Sequence, residues 1–445
     1  IGAGLAGSEA AWQLAERDIK VNLYEMRPTA TTQAHKTANF AELVCSNSFR
    51  SDEKLTNAVG ILHEELRIAN SLIMHAADVH QVPAGSALAV DRNLFSDEVT
   101  QKIKGHKNIR IFNSEVESIP DDWEYVIIAT GPLTSEKLSS FILKKNSQDS
   151  LYFFDAIAPI IYTETIDMSK AWFQSRYNKI GPTGSKNDYI NCPLTEEQYN
   201  IFINDLIDAE KNSFNDWEKD TPYFDSCLPI EIMALSGPQT LRHGPMKPFG
   251  LNNIHSNGEE PYAVVQLRQD DAKGNLYNMV GFQTKIKYSH QTEIFRKIPG
   301  LKDAKFARLG GIHRNTYINS PLLLNNDLSL LSDERIKFAG QITGVEGYVE
   351  STSIGMVAAL MMYNKIKGKP QNAPPTTSAI GSLISYITRK DGIKNFQPMN
   401  VNFGLFDQID IRDLRKLPKK IRDLQKKERL SNRALEDINI WVQSF

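Results

Sequence analysis

The chain has 445 residues, 41% of them hydrophobic and 23% charged, with a formal net charge of −2. That length suits two domains, or one domain with a large insertion, and the composition is that of an ordinary globular protein. No apolar run approaches the ~18 residues of a membrane span, the glycine-rich opening is no signal peptide, and the near-neutral charge confines any nucleic-acid contact to local patches.

The opening IGAGLAGSEAAW reads as a strand-to-helix turn. Its strand is cut short at Ile1, so a few residues are expected upstream. Gly2, Gly4 and Gly7 fit G-x-G-x-x-G, with Ala3, Leu5 and Ala6 completing the loop. In such a turn Gly2 permits the tight bend, Gly4 lets backbone approach a pyrophosphate, and Gly7 lets helix and strand pack closely. The helix N-terminus then offers unpaired N–H groups to the phosphates. KVNLYEM reads as a second parallel strand, and Glu25 lies 18 residues after Gly7, placed to accept from a ribose diol. The plain alternative is a glycine turn beside a solvated glutamate.

Next, FAELVCSNSFRSD sets Cys45 between an apolar run and a polar, turn-prone string. It is either a small core residue or a thiol held where chemistry happens. Cys45, Cys192 and Cys227 are spaced 147 and 35 apart, which is neither a metal nor a CxxC pattern. No metal site is expected, and the usage fits a reducing cytoplasm. DWEYVIIATGP gives a buried strand ending at Thr130 and Gly131, the second contact of two-dinucleotide flavoproteins.

From about residue 150 to 310 the βαβ alternation fades, and YAVVQLR and LYNMVGF read as antiparallel strands. RIKFAGQITGVEGYVES then restores strand, glycine loop and helix, with Gly340, Gln341, Gly344, Glu346 and Gly347 in the loop and the helix starting near Ser351. These three pieces together indicate FAD rather than a simple NAD site. Tyr348 either closes over the flavin or only packs. Residues 412–429, RDLRKLPKKIRDLQKKER, hold nine Lys/Arg against three Asp/Glu. They are either a phosphate-binding face or a solvated helix with i,i+4 pairs.

The blocks GAGLAGSEAAWQLA, ELVCSNSFRSD, VPAGSALAVDR, IIATGPLTS, DYINCPLTEEQY, CLPIEIMA, GPMKPFGL, PYAVVQLRQD, GFQT, HRNTYINSP and FAGQITGVEGYVES run in order along the chain. They resemble the TrmFO family of folate- and FAD-dependent tRNA (uracil-5-)-methyltransferases. The last block also resembles the related GidA flavoproteins, whereas CSNSFRSD and PYAVVQLRQD favour TrmFO. The resemblance implies an α/β fold: a Rossmann-like FAD-binding domain of the glutathione-reductase type, interrupted by an α+β inserted domain. The expected division is 1–155, 156–305 and 306–445, the last part carrying basic C-terminal helices.

The family resemblance further implies methylation of uridine C5 in the tRNA T-loop in the cytoplasm. The carbon donor is 5,10-methylenetetrahydrofolate, reduced FAD is carbon carrier and hydride source, and NADPH or NADH is the reductant. It carries over to Cys45 and Cys227 as functional thiols and to Tyr348 beside the flavin. Cys227 is then the C6 nucleophile and Cys45 the base or adduct-stabilising partner, with the two roles exchangeable; Cys192 is structural. His313, Arg314 and Asn315 are candidates for folate or flavin contact. The stretch around Cys227, the GGIHRN block and a short insertion near SRYNKIGPTGSKNDYI depart from the family pattern. They keep open the same chemistry on a uridine of 23S ribosomal RNA. A flavin oxidoreductase acting on a small molecule and a non-catalytic RNA-binding scaffold are the other readings.

Overall fold

The computed structural model describes residues 1–445 except 33, 147–150, 182–183, 212–227, 257–259 and 391–395, with backbone alone for 146, 151–157 and 312–314. The chain turns at Gly2, φ +91°, into α1 (Leu5–Ala15), then continues into β1 (Val21–Glu25). α2 (Ala58–Ile68) starts at Asn57, which accepts from the Val59 amide. α3 (Arg92–Gly105) starts at Asp91, which accepts from the amides of Asn93 and Leu94. Such caps satisfy donors that the first helical turn leaves orphaned, each contributing about 1 kcal/mol. β2 (Ile109–Asn113) pairs parallel with β1, from Val21 opposite Ile109 to Glu25 opposite Asn113. β3 (Val126–Ile128) lies on the other side of Ile1 and Gly2. The Gly2 amide donates to the Tyr24 carbonyl at 2.7 Å, and the Ala129 amide to the Ile1 carbonyl at 2.8 Å.

The chain leaves this domain through β4 (Leu151–Ile157). A six-stranded antiparallel sheet follows, in the order 306–308, 160–162, 276–279, 263–269, 189–194 and 172–173. Two neighbouring strands of this sheet are β5 (Tyr189–Leu194) and β6 (Ala263–Gln269). Helix 196–208 covers one face, fixed at its start by a Thr195/Gln198 capping box. Cys192, Tyr199, Phe202, Phe282 and Phe295 belong to a core separate from that of the first domain. The chain returns through β7 (Gly311–Tyr317), antiparallel to β4. Strand 306–308 hydrogen-bonds to the inserted sheet, so the return crossing falls after Arg308 rather than at 305/306. Loss of βαβ alternation marks an insertion but not which sheet takes its last strand.

β8 (Ile336–Phe338) then pairs parallel with β3. α4 (Tyr348–Ile366) packs tightly on α1: a Cβ on Gly355 would stand 2.3 Å from the Ala6 carbonyl oxygen. α4 starts at Tyr348 rather than near Ser351 because Gly347, φ +116°, turns the chain directly into the helix. α5 (Ala379–Thr388) and α6 (Lys419–Val442) complete the domain, α6 burying Leu430, Ala434, Ile438 and Trp441. Among the described residues no helix is long and apolar enough to cross a membrane.

Candidate functional site

The first glycine loop is built by close approach. A Cβ on Gly7 would lie 1.8 Å from the Gly2 carbonyl oxygen, and one on Gly2 would lie 2.7 Å from that of Ala129. At Gly4 nothing stands within 4 Å of the same position, so this side of the turn is open. Glu25 reaches back under the loop. Its Oε2 accepts from the Ala3 amide at 2.8 Å, and its Oε1 accepts from Arg27 Nε at 2.8 Å. Burial alone would raise this carboxyl, but the hydrogen bond and charge of Arg27, with the Ala3 amide, hold it below its usual value. One cleft is lined by Gly2, Gly4, Glu25, Thr130 and Thr134, so the loop, its acid and the end of β3 share a cavity. Gly131 follows with φ +66°.

The second glycine loop meets the first across Gly340, φ +81°, whose Cβ would lie 2.7 Å from that of Ala6. Gln341 Nε2 donates to Glu346 Oε2 at 2.6 Å, and Gly344 and Gly347 both hold positive φ. Glu350, in the first turn of α4, has Oε1 paired with Arg50 and with the Val401 amide. Its Oε2 is buried with no hydrogen-bond partner among the described residues. An orphaned buried carboxylate oxygen beside a helix N-terminus is a place for a ligand donor. Together with the open side at Gly4 and the buried Glu25, these residues fit a dinucleotide cofactor.

Cys45 sits beside this junction. The Tyr348 hydroxyl accepts from the amides of Cys45 at 3.2 Å and Ser46 at 3.0 Å, and donates to the Ser46 carbonyl at 2.9 Å. Burial, then the adjacent Cys45, push this hydroxyl above the usual tyrosine range. Three arginines hold the other side of the loop. Arg92 donates to the carbonyls of Leu43 at 2.6 Å and Cys45 at 3.1 Å. Arg308 donates to those of Val44 at 3.1 Å and Cys45 at 2.9 Å. Arg268 donates to Ser46 Oγ at 2.8 Å and Asn47 Oδ1 at 3.2 Å. Burial works against the charge on Arg92, but Asp270, 2.9 Å away, outweighs it and raises Arg92. Among the described residues Arg308 has no such carboxylate partner; burial and then Arg92 pull it down to about 10.

Cys227 lies outside the described residues, and His313 and Arg314 are described by backbone alone, on β7 opposite Asp155 and Phe154. Asn315, on the same strand, is buried. Cys192 lies in the inserted core, where burial pushes its thiol up to about 12. The basic stretch is a short turn at Arg412–Lys416 followed by the first half of α6. Arg412 and Arg429 pair with Asp410 and Asp413, while Lys416, Lys419 and Lys420 are exposed.

Residues 1–370 match the family described as glucose inhibited division protein A, GidA. The chain is 57% identical, over 99% of its length and 96% of the relative's, to the methylenetetrahydrofolate--tRNA-(uracil-5-)-methyltransferase TrmFO of Chelativorans sp. (strain BNC1). The chain belongs to the TrmFO family. Its identity to the TrmFO of Brucella canis is 55%, covering 100% of the chain and 97% of that relative. The fold is also that of Aquifex aeolicus GidA in its form II crystal, with TM-score 0.69 and 16% identity over 100% of this chain and 73% of that one.

Within this TrmFO-family chain, sequence reasoning missed the groups that seat Cys45: Arg92, Arg268, Arg308, Asp270 and Asn47. Arg92 ends the VPAGSALAVDR block, and Arg268 and Asp270 lie in PYAVVQLRQD. The signal was present as motif residues, without any indication of what they touch. Glu350, with its orphaned oxygen, was likewise hidden inside GYVES.

Proposed function

We propose that this protein carries out the reaction for which its relatives are named, transferring a one-carbon unit from methylenetetrahydrofolate to C5 of a tRNA uridine, in the T-loop. The observation that carries the reading is the seating of Cys45 against Tyr348 at the N-terminus of α4, where the two glycine loops converge. The Tyr348 hydroxyl thereby ties the Cys45 backbone to the helix that the second glycine loop opens.

Gly2, Ala3, Gly4, Leu5, Ala6 and Gly7 would hold the cofactor pyrophosphate, and Glu25 its ribose. Thr130 and Gly131 would line the same cleft, and Gly340, Gln341, Gly344, Glu346 and Gly347 would hold the flavin end. Bound FAD, reduced by NADPH or NADH, supplies carbon transfer and hydride. The chain's own share is to activate the uridine. Uracil C5 is a poor nucleophile until a thiolate adds at C6 and makes C5 enolate-like; cysteine suits this because its thiolate is strongly nucleophilic even at low abundance. We assign that attack to Cys227 and removal of the C5 proton to Cys45. Tyr348 and the arginines keep the Cys45 backbone fixed while this happens. Folate contacts are assigned to His313, Arg314 and Asn315.

The target base must be turned out of its stack to enter such a cleft. The exposed lysines at the start of α6 supply a surface for the surrounding phosphates. The test is tritium release from C5-labelled uridine in tRNA, with methylenetetrahydrofolate and NADPH, using the yellow flavin-loaded protein. Release from tRNA and its loss in Cys45→Ala and Cys227→Ala are expected. Release from 23S ribosomal RNA alone would redirect the reading to that target, and release from neither RNA would end it.

A further inference from the structure

Residues 43–47 form no regular element, yet six of their ten backbone N–H and C=O groups are held by side chains from elsewhere. Tyr348, at the start of α4, takes the amides of Cys45 and Ser46 and the Ser46 carbonyl. Arg92, at the start of α3, takes the carbonyls of Leu43 and Cys45. Further contacts come from the inserted domain. Arg308 takes the carbonyls of Val44 and Cys45, and Arg268, on β6, takes the side chains of Ser46 and Asn47. Asn47 in turn donates to Gln269 of β6 at 2.9 Å, and Asp270 chelates Arg92 with both oxygens.

We infer that Arg308 and the Arg92–Asp270 pair are positioning residues for the reaction, through which the inserted domain sets where the Cys45 thiol stands relative to the cofactor cleft. The inference rests on the function proposed above. The Cys45 carbonyl accepts from two guanidiniums, one anchored by a carboxylate of the inserted domain and the other borne on that domain's own edge strand. A shift of the inserted sheet therefore moves the thiol. Neither arginine needs to touch substrate for this. Charge also argues against simple packing: three guanidiniums crowd one loop, Asp270 is bonded to Arg92, and Arg308 Nε is buried with no partner among the described residues. A loop stabilised for its own sake is better served by fewer buried charges.

The test compares Arg308→Met, which keeps bulk but removes charge and donors, with Arg308→Lys, which keeps charge. In flavin-loaded protein, kcat for tritium release should fall by about 10²-fold in Arg308→Met, with KM for folate and tRNA within about twofold, because misplacement by an ångström costs rate rather than binding. Arg308→Lys should recover part of the loss. Amide exchange of the peptide spanning 43–48 should speed up in Arg308→Met while that of α1 and α4 stays as in the parent. If Arg308→Met does not fold, Asp270→Asn carries the same expectations, since it frees Arg92 without changing shape. Unchanged kcat, or unchanged exchange of the 43–48 peptide, overturns the inference. Exchange needs neither folate nor RNA, so an inactive parent would refute the proposed function and leave this result to stand or fall alone.

Discussion

The Tyr348 hydroxyl lies 3.2 Å from the Cys45 amide nitrogen, joining two residues 303 positions apart through a side chain that begins α4. This contact makes the cysteine loop part of the same unit as the second glycine loop. Its removal gives the most direct prediction. Tyr348→Phe leaves the amides of Cys45 and Ser46 without their acceptor and should destabilise the protein by about 1–3 kcal/mol. Urea denaturation of the flavin-loaded protein measures it. A change indistinguishable from zero would mean that water replaces the hydroxyl and that the contact is incidental.

The glycines of the first loop separate folding from cofactor binding. Gly7→Ala drives a Cβ into the Gly2 carbonyl and should cost both stability and flavin. Gly4→Ala meets no protein atom within 4 Å, so the thermal midpoint of the flavin-free protein should stay near the parent value while bound yellow colour is lost. Flavin retained at parent stoichiometry by Gly4→Ala would show that the pyrophosphate lies elsewhere.

Glu65 predicts a pH dependence of stability. Its two oxygens accept from the Ala379 and Ile380 amides at 2.7 and 2.8 Å, and burial pushes its carboxyl up to about 8 against those bonds. A folded-state value raised above the unfolded one gives a contribution fully present below the ordinary carboxylate range and lost as pH rises through about 8. The stability of the parent relative to Glu65→Gln should therefore fall between about pH 5 and about pH 9. Parallel denaturation midpoints across that range would contradict a buried neutral carboxyl.

Lys419 and Lys420 stand in the first turn of α6, which carries no acidic residue. Cations there oppose the helix dipole and cost about 0.3–1 kcal/mol each, so stability does not account for them. Replacing Lys416, Lys419 and Lys420 with alanine should leave the thermal midpoint equal or higher while weakening tRNA binding. The slope of log affinity against log salt should shrink by about 1 for each phosphate contact removed. An unchanged slope in filter binding would move the RNA surface away from α6.

Some of this site was readable along the chain and some was not. The G-x-G-x-x-G turn with Glu25, and the glycines from Gly340 to Gly347, were legible because each constraint acts over a few neighbouring residues. The two strands of the insertion, 263–269 and 276–279, were legible from their apolar runs. The start of α4 was misplaced because a single glycine φ decides it. The return from the insertion was misplaced because strand 306–308 is claimed by a partner strand more than a hundred residues earlier.

What the sequence determined by itself was the family, the doubly glycine-marked α/β framework and the residues able to do thiol and nucleotide chemistry. Spacing and residue type encode these locally, through backbone sterics and the inherent reactivity of side chains. Only the tertiary structure decided which groups hold Cys45. Arg92, Arg268, Arg308 and Tyr348 come from separate elements of two domains, and their meeting depends on the docking of whole sheets and helices, which no local pattern records.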